Sequence, residues 1–561
     1  MTIINKANKK EFSQFSIKIK LVSILVFVFV NNIAATAQLE YEWHSLFDYS
    51  PMSIGRSVTT DNSGNVISAG EYYSFFVLNN DTTTSEKSIS NYIIKYNNKG
   101  EVQWSKSLES DYQFFIISLE TDNNDNIYVC GHFTGTLEFP DKDLISKGGL
   151  DGFLISYDKE GNYRWARSAG SSSTDFQWLI AYDGIDGIYV IGRNMQPPFY
   201  VNEEITLTNR DTYIIKYNTE GEVKWAYNYG AEYSLPGGIY ADENGVILTG
   251  YAAGKMYMDT TLQSENLKAM LVSFDLKGNF EKAVLYGGTE ISDLCGGKAV
   301  VKDEEGNIYL PCAFEGKVQI EDTTLTSLGD ESDTFIIKLN NKWERVWVRE
   351  IKSYNSVSSS YSIKYKKGIF FFLLETHGES SINLCDSIIN PVYDDDNFVV
   401  TLTTTGSLQQ VIHAYSPHTV HIMALAISEY ENYLNIYFTG IFNKKVFFPG
   451  IEYTSNTADT YFLNKYSFEL PQDTLQYNDN FLIYPNPSNG FFNIKYKDIS
   501  IEQINLSIYD INGKHLFYRS YPTSDSNLIE NINVSHLSNG LYLLKIHYNG
   551  TVIYKKLIIS K

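Results

Sequence analysis

The sequence predicts an all-β protein: a seven-bladed β-propeller of four-stranded blades, its ring closed by the N-terminal strand, followed by a small Ig-like β-sandwich. Three observations carry that prediction. Seven apolar runs end at Gly70, Gly131, Gly192, Gly250, Cys312, Leu373 and Gly440, at intervals of 58 to 67 residues. A fixed period of this length marks a repeat architecture. A Trp-bearing run near the N-terminus stands in phase with the repeats but has no unit of its own. After residue 470 the pattern changes to a different set of short β-runs.

Each period holds four strand-like runs. In the clearest copy they are FFIISLETD, NIYVCGHF, DGFLISYD and YRWARSA. The first two are joined by a polar turn, as in DNSGN at Asp61, DNNDN at Asp122 and DEEGN at Asp303. The last two are joined by NNKGE, DKEGN, NTEGE or DLKGN. Asp, Asn and Gly supply the positive φ and the local hydrogen bonds that hairpin turns need. Four antiparallel strands, repeated, are what a propeller blade requires. The fourth run carries Trp104, Trp165, Trp225 and Trp347, which read as packing between units. Trp43 lies 61 residues before Trp104, in phase, whereas the seventh copy ends without a fourth run. The segment around Trp43 is therefore expected to complete the last unit, leaving no open sheet edge.

Composition agrees with this. Of 561 residues, 43% are hydrophobic and 20% charged, enough apolar content for a sizeable core. Tyr (43) and Phe (32) far outnumber Met (7), a bias toward pleated, half-buried surfaces. A formal net charge of −21 disfavours nucleic acid, whose binding needs basic clusters, so no nucleic acid is expected as a partner.

The first 37 residues read as a targeting segment. Lys6, Lys9, Lys10, Lys18 and Lys20 precede the apolar run Leu21 to Val30, and Ala35-Thr36-Ala37 forms a small-residue cleavage site. Cleavage is expected between Ala37 and Gln38. The expected organisation is a signal peptide over 1–37, a propeller over 38–470, a polar linker over 471–480 and a C-terminal β-sandwich over 481–561.

The repeats resemble bacterial extracytoplasmic repeats named for a seven-bladed β-propeller. The residues carrying the likeness include Gly131, Phe133, Gly135 and Phe139, the aspartates Asp151, Asp211, Asp333 and Asp459, and Trp165, Trp225 and Trp347. Ser90 and Lys268 replace the Asp in two copies, and Lys282 replaces the Trp in one. That likeness implies an architecture and no reaction. The tail resembles the type A C-terminal sorting domain of the type IX secretion system of Bacteroidota. Its matching motifs are Tyr484-Pro485-Asn486-Pro487 with Gly490, Tyr509-Asp510 with Gly513-Lys514, Gly540 with Tyr542, and Lys555-Lys556. The N-terminal signal segment is expected to take the chain through the Sec translocase to the periplasm, and the tail's resemblance implies passage by the type IX machinery across the outer membrane. A secreted or cell-surface protein is the expected result.

Chemistry is sparse. No HExxH, GxSxG or P-loop pattern occurs. His413, His418 and His421 cluster in sequence, but the spacing of the last two puts them on opposite faces of a strand. The Asp-rich turns raise calcium as a candidate, yet none completes a calcium loop, and no cofactor or metal is expected. The recurring Asp151, Asp211, Asp333 and Asp459 read as structural, bonding backbone N–H groups of the preceding turn. Of four cysteines, Cys295 and Cys312 flank a predicted hairpin and form a candidate disulfide. A ligand site is expected where the chain leaves its own template, as in the segment Gly192 to Glu204. The expected function is a non-enzymatic binding or adhesion module for an extracellular glycan or protein. The alternative is an exported glycan- or peptide-processing enzyme with its site at the propeller mouth.

Overall fold

In a computed structural model of the chain, the described residues are 39–469 and 481–561, apart from 48–49, 80, 88, 289, 291, 329–331, 379, 385–386, 431–432, 458, 487, 497–502, 510–513, 523–527 and 549–550. The expected signal segment with Ala37 and Gln38, the 471–480 linker, Cys385, Pro487, Asp510 and Gly513 lie outside them. Among the described residues all regular structure is β-strand. They divide into two compact units, Leu39–Phe468 and Glu469–Lys561.

The first unit is built of four-stranded antiparallel meanders. The first sheet runs Ser53–Thr60, Val66–Tyr72, Ser90–Tyr96 and Val102–Leu108; the second Phe114–Thr121, Ile127–Phe133, Asp151–Tyr157 and Tyr163–Ala169. The third holds Asp175–Tyr182, Gly187–Asn194, Asp211–Asn218 and Val223–Asn228. The fourth has longer strands, Ala231–Asp242, Gly245–Met256, Gln263–Phe274 and Phe280–Tyr286. The fifth begins with a broken strand, Leu294–Gly297 and Val301–Lys302, followed by Ile308–Glu315, Asp333–Leu339 and Arg345–Lys352. The sixth is Ser356–Lys366, Ile369–His377, Asn397–Thr403 and Leu408–Ala414. The seventh joins Val420–Tyr430, Tyr433–Phe442 and Thr460–Glu469 to the N-terminal strand Glu40–Leu46, with Trp43 opposite Lys465.

Burial explains the sequence pattern. Second and third strands such as Ile127–Phe133 and Asp151–Tyr157 are buried at every position. Neighbouring sheets cover both their faces, so they read as continuous apolar runs. The outermost strand Val102–Leu108 is half exposed and mixed in composition. Side chains near the start of third strands lace each sheet to the next innermost strand. Asn91 donates to Phe114 O (2.7 Å) and accepts from Ile116 N (3.1 Å), and Asn397 does the same with Val420 and Ile422. Between the seventh and first sheets, Tyr461 N donates to Ser53 Oγ at 3.0 Å.

The repeated tryptophans tie five of the seven sheets to the following one. The indole N–H of Trp43, Trp104, Trp165, Trp225 and Trp347 donates to Asn98, Lys159, Thr219, Leu276 and Thr404 O, at 3.0 to 3.3 Å. Each acceptor lies in the next sheet's outer turn. The turn glycine sits under the ring: a Cβ at Gly221 would lie 2.7 Å from Trp165. Gly221 also has a φ of 77°, so glycine is needed twice over. Small outer hairpins, absent from the four-run prediction, add a second strap. Phe199–Tyr200 pairs with Thr206–Leu207, and Tyr200 bridges back to Gly170 of the preceding sheet.

In the second unit, Phe481–Tyr484, Phe491–Tyr496 and Leu528–Asn533 form one sheet. His515–Pro522, Gln503–Tyr509, Gly540–Tyr548 and Thr551–Ile559 form the other. Ile494, Leu506, Ile508, Leu544 and Leu557 are core residues of this unit.

Candidate functional site

The innermost strands of the first unit surround a cavity of about 430 Å³. Its lining repeats with the sheets. Val58, Leu119, Ile180, Ile239, Val300, Ile363 and Leu425, one from each sheet, form an apolar girdle. Immediately before them stand mostly small residues, including Ser57, Ser118, Gly238, Ala299 and Ala424.

One position earlier the strands differ. The register of the innermost strand slips between Gly55 and Ser57, Ile116 and Ser118, Gln177 and Leu179, Pro236 and Gly238, and Ile422 and Ala424. The residues left over by these bulges are Arg56, Ile117, Trp178, Gly237 and Met423, all lining the cavity. A bulge residue takes no part in the ladder and is re-aimed by the local kink. The five bulge positions carry five different residues, and at Gly237 packing dictates the choice, since a Cβ there would lie 1.9 Å from Gly297 O of the fifth sheet.

The polar groups of the cavity are held in defined states. Arg56 is clamped by the nearly buried Glu71, Nε to Oε1 at 3.0 Å and Nη2 to Oε2 at 3.4 Å. His132 lies between the rings of Phe115 and Phe176, with centroids at 5.5 and 5.4 Å. Burial pushes its imidazole down to about 4, so it is neutral at pH 7, and its Nδ1 is buried without a hydrogen-bond partner. Burial raises the Glu120 carboxyl, and the Lys364 charge opposes that rise.

Outside the cavity lining, three histidines form separate pairs with carboxylates. His421 Nδ1 lies 2.6 Å from Glu375 Oε1, His413 Nε2 2.7 Å from Asp396 Oδ2, and His377 Nδ1 3.1 Å from Asp395 Oδ1. The Glu375 hydrogen bond raises the His421 imidazole. Of the histidines adjacent in sequence, His413 and His421 thus pair with different carboxylates, while His418 N donates to Ser416 Oγ at 3.0 Å. Among the described residues no group of three or more His, Cys, Asp or Glu could hold a metal ion.

Of the aspartates at third-strand starts, Asp151 and Asp333 accept from backbone N–H groups of the preceding loop, whereas Asp211 bonds a side chain of its own sheet. Asp151 Oδ2 accepts Lys147 N at 2.9 Å, and Asp333 accepts Leu328 N (2.7 Å) and Ser353 N (3.0 Å). Asp211 accepts from Arg193 Nε at 2.9 Å, and Asp459 O accepts Ser53 N at 2.8 Å. The Asp-rich hairpin turns bind their own backbone. Asp122 accepts Asn124 N (2.8 Å) and Asn126 N (2.9 Å), together with Asn126 Nδ2 and the Tyr128 hydroxyl. Cys295 and Cys312 are free, buried thiols on paired strands, and burial, with the Cys295 thiol beside it, raises Cys312 well above the ordinary range.

The Gly192 to Glu204 segment supplies the outer hairpin strapped to the preceding sheet, and it is not among the cavity-lining residues. The cavity's variable residues sit instead on the innermost strands, at bulges. The signal was present, since Arg56, Ile117 and Trp178 are each 61 residues apart, a variable column beside an apolar one.

In the second unit several of the sorting residues lie on or beside the final strand. Asn486 Oδ1 accepts Ile558 N at 2.8 Å, and Ser488 bridges Ile559 in parallel. Gly490, at φ 103°, donates to Ser488 Oγ at 3.0 Å. Lys555 and Lys556 lie on that final strand opposite Leu544 and Leu543. Tyr542 OH donates to Ser538 O at 2.9 Å, Gly540 opens its strand, and Tyr509 packs against His515 beside Lys514.

Fold and cavity define an all-β protein of repeated four-stranded sheets around a common cavity, carrying a smaller two-sheet unit at its C-terminal end. Residues 482–560 match the family described as secretion system C-terminal sorting domain, and the tail is a sorting domain of type IX secretion. The chain is thereby marked for export to the cell surface or the extracellular space. A curated relative, an uncharacterized WD repeat-containing protein of Acanthamoeba polyphaga mimivirus, is 23% identical over 265 residues, 37% of this chain. The chain's match covers only 18% of that relative's length. Among solved structures, a protein of unknown function from Bacteroides caccae aligns at 7% identity and a TM-score of 0.24, over 55% of this chain and 93% of its own. A polysaccharide lyase aligns at 6% identity and a TM-score of 0.37, over 74% of this chain and 90% of its own.

Proposed function

We propose that the first unit is a seven-bladed β-propeller acting as a non-enzymatic binding module, displayed on or released from the cell surface, with its ligand seat in the central cavity. The second unit, read as an Ig-like β-sandwich, is its export address. The N-terminal 37 residues would deliver the chain through the Sec translocase to the periplasm, and the type IX machinery would carry it across the outer membrane of a Bacteroidota cell. The observation that carries the binding reading is the bulge ring: a common apolar girdle topped by four different side chains and a glycine, one of the side chains an aromatic platform. Scaffold positions repeat, whereas a binding seat has to differ around the ring. A binding screen of the whole mature chain against glycans and surface proteins tests this reading. Binding that is unchanged when Arg56, Ile117 and Met423 are each replaced by Ala counts against it.

A second reading, a glycan- or peptide-processing enzyme, is favoured by the Glu375–His421 pair at 2.6 Å. There His421 would act as general acid with Glu375 holding its proton. Hydrolysis or elimination lost on Glu375→Gln, with folding intact, would select it.

A further inference from the structure

We propose that the central cavity takes a carbohydrate, the pyranose ring of a glycan end, stacked on the face of Trp178. This deepens the reading of the first unit as a binding module seated in that cavity, and rests on it.

Trp178 has no scaffold role of the kind the other tryptophans have. Five donate their indole N–H to a turn carbonyl of the next sheet. A sixth, Trp343, lies under the Lys282 ammonium at 5.3 Å. Trp178 alone stands on an innermost strand, at a bulge, half-buried against the cavity. Its N–H has no protein acceptor among the described residues. The positions equivalent to it are Arg56, Ile117, Gly237 and Met423, so the ring closes without an aromatic there. A flat indole left facing an internal cavity offers a large apolar surface and an unused donor to whatever enters.

The surrounding groups select among flat ligands. An apolar ring would strip water from Arg56, Glu120 and Lys364 without replacing their hydrogen bonds, which is costly for charged groups. A strongly anionic or cationic ligand would meet charges of both signs in the same cavity. A sugar ring fits both facts. Its C–H face covers the indole, and its hydroxyls both donate and accept. Glu120 offers an acceptor, Lys364 and the N–H groups of Arg56 not spent on Glu71 offer donors, and Ser118 offers a hydroxyl. The Glu71 clamp fixes the guanidinium in place before the ligand arrives, so little order is lost on binding. The volume of about 430 Å³ suits a small ligand of this kind rather than a polymer threaded through the ring.

The test is a titration of the full mature chain with a panel of methyl pyranosides and their disaccharides, read by calorimetry and by tryptophan fluorescence, with indole as an aromatic control probe. At least one sugar is expected to bind with a change in tryptophan emission. Trp178→Ala should weaken it by at least about tenfold, the loss typical of a central aromatic anchor. Trp178→Phe should retain part of the affinity, and Glu120→Gln should weaken it while the unfolding midpoint stays within error. Trp178→Phe also guards against misfolding of the Ala variant. If indole binds in a Trp178-dependent way and no sugar does, the carbohydrate assignment is overturned while the cavity remains the binding seat. If neither binds, the carbohydrate assignment is overturned; if sugar binding ignores all three substitutions, the cavity is not the seat and both readings fall.

Discussion

Lys282 and Trp343 exchange the parts that Trp and Gly play at the neighbouring sheet junctions. Elsewhere a Trp reaches over a turn glycine of the next sheet, as Trp225 does over Gly278, where a Cβ would lie 2.9 Å from the ring. Between the fourth and fifth sheets the Trp is replaced by Lys282, whose Nζ donates to Lys342 O at 2.9 Å. The glycine is replaced by Trp343, held at a φ of 68° that favours glycine. Each departure from the template compensates the other. In a double-mutant cycle, Lys282→Trp alone should destabilise by collision with Trp343, and adding Trp343→Gly should restore the common pair. A coupling of about 2 kcal/mol is expected from the unfolding midpoints of the four chains. Additivity of the two changes would show that they are unrelated. Asp151 makes a second prediction at this scale. Burial pushes its carboxyl up to about 7, against about 3.9 in an unfolded chain. The folded state therefore binds that proton more tightly. Its stabilising effect is complete below about pH 4, falls as pH rises toward 7, and is gone above. Asp151→Asn should gain stability relative to the native chain across that window and run parallel to it outside. Parallel curves throughout would show that the carboxyl is ionised at all these pH values.

Among elements, the N-terminal strand carries the most consequence. Glu40–Leu46 pairs with Thr460–Glu469 across more than 400 residues of chain, and Trp43 and Lys465 Nζ both donate to Asn98 O at 3.0 Å in the first sheet. Deleting residues 38–47 should lower the unfolding midpoint sharply and expose an edge prone to aggregation. Cutting the same length from 471–480 should leave the first unit's midpoint unchanged. Equal effects would mean that closure contributes nothing special. The same geometry explains why the sixth sheet lacks its Trp. Gln410 holds the register position that Trp104 holds in the first sheet. The turn it would cover is missing, because the seventh sheet's outer strand comes from the other end of the chain. The four main runs of each sheet and the phase of Trp43 were legible, since strand period and turn chemistry are local. The bulges and outer hairpins were not, because a one-residue slip has no composition of its own and a two-residue strand is too short to show a period.

For the whole molecule, the two units divide the work. Removing residues 481–561 should strand the protein in the periplasm with the first unit folded, checked by fractionation and surface labelling. Normal surface delivery of the truncated chain would end the assignment of the tail as the export address. The tail's motifs are far apart in sequence, yet Asn486 and Ser488 meet the last strand at Ile558 and Ile559, so the start and end of the domain are folded into one contact.

By itself the sequence determined the all-β class, the period, the place where the ring is sealed and the sorting tail. Each follows from local alternation, turn residues or motif order, which survive in one dimension. Tertiary structure alone decided what the ring presents at its centre. Arg56, Trp178 and Met423 come from three different sheets and become neighbours of one cavity only when the innermost strands converge. Which residue of each strand turns inward depends on a bulge, a feature of pairing between strands and not of either strand alone.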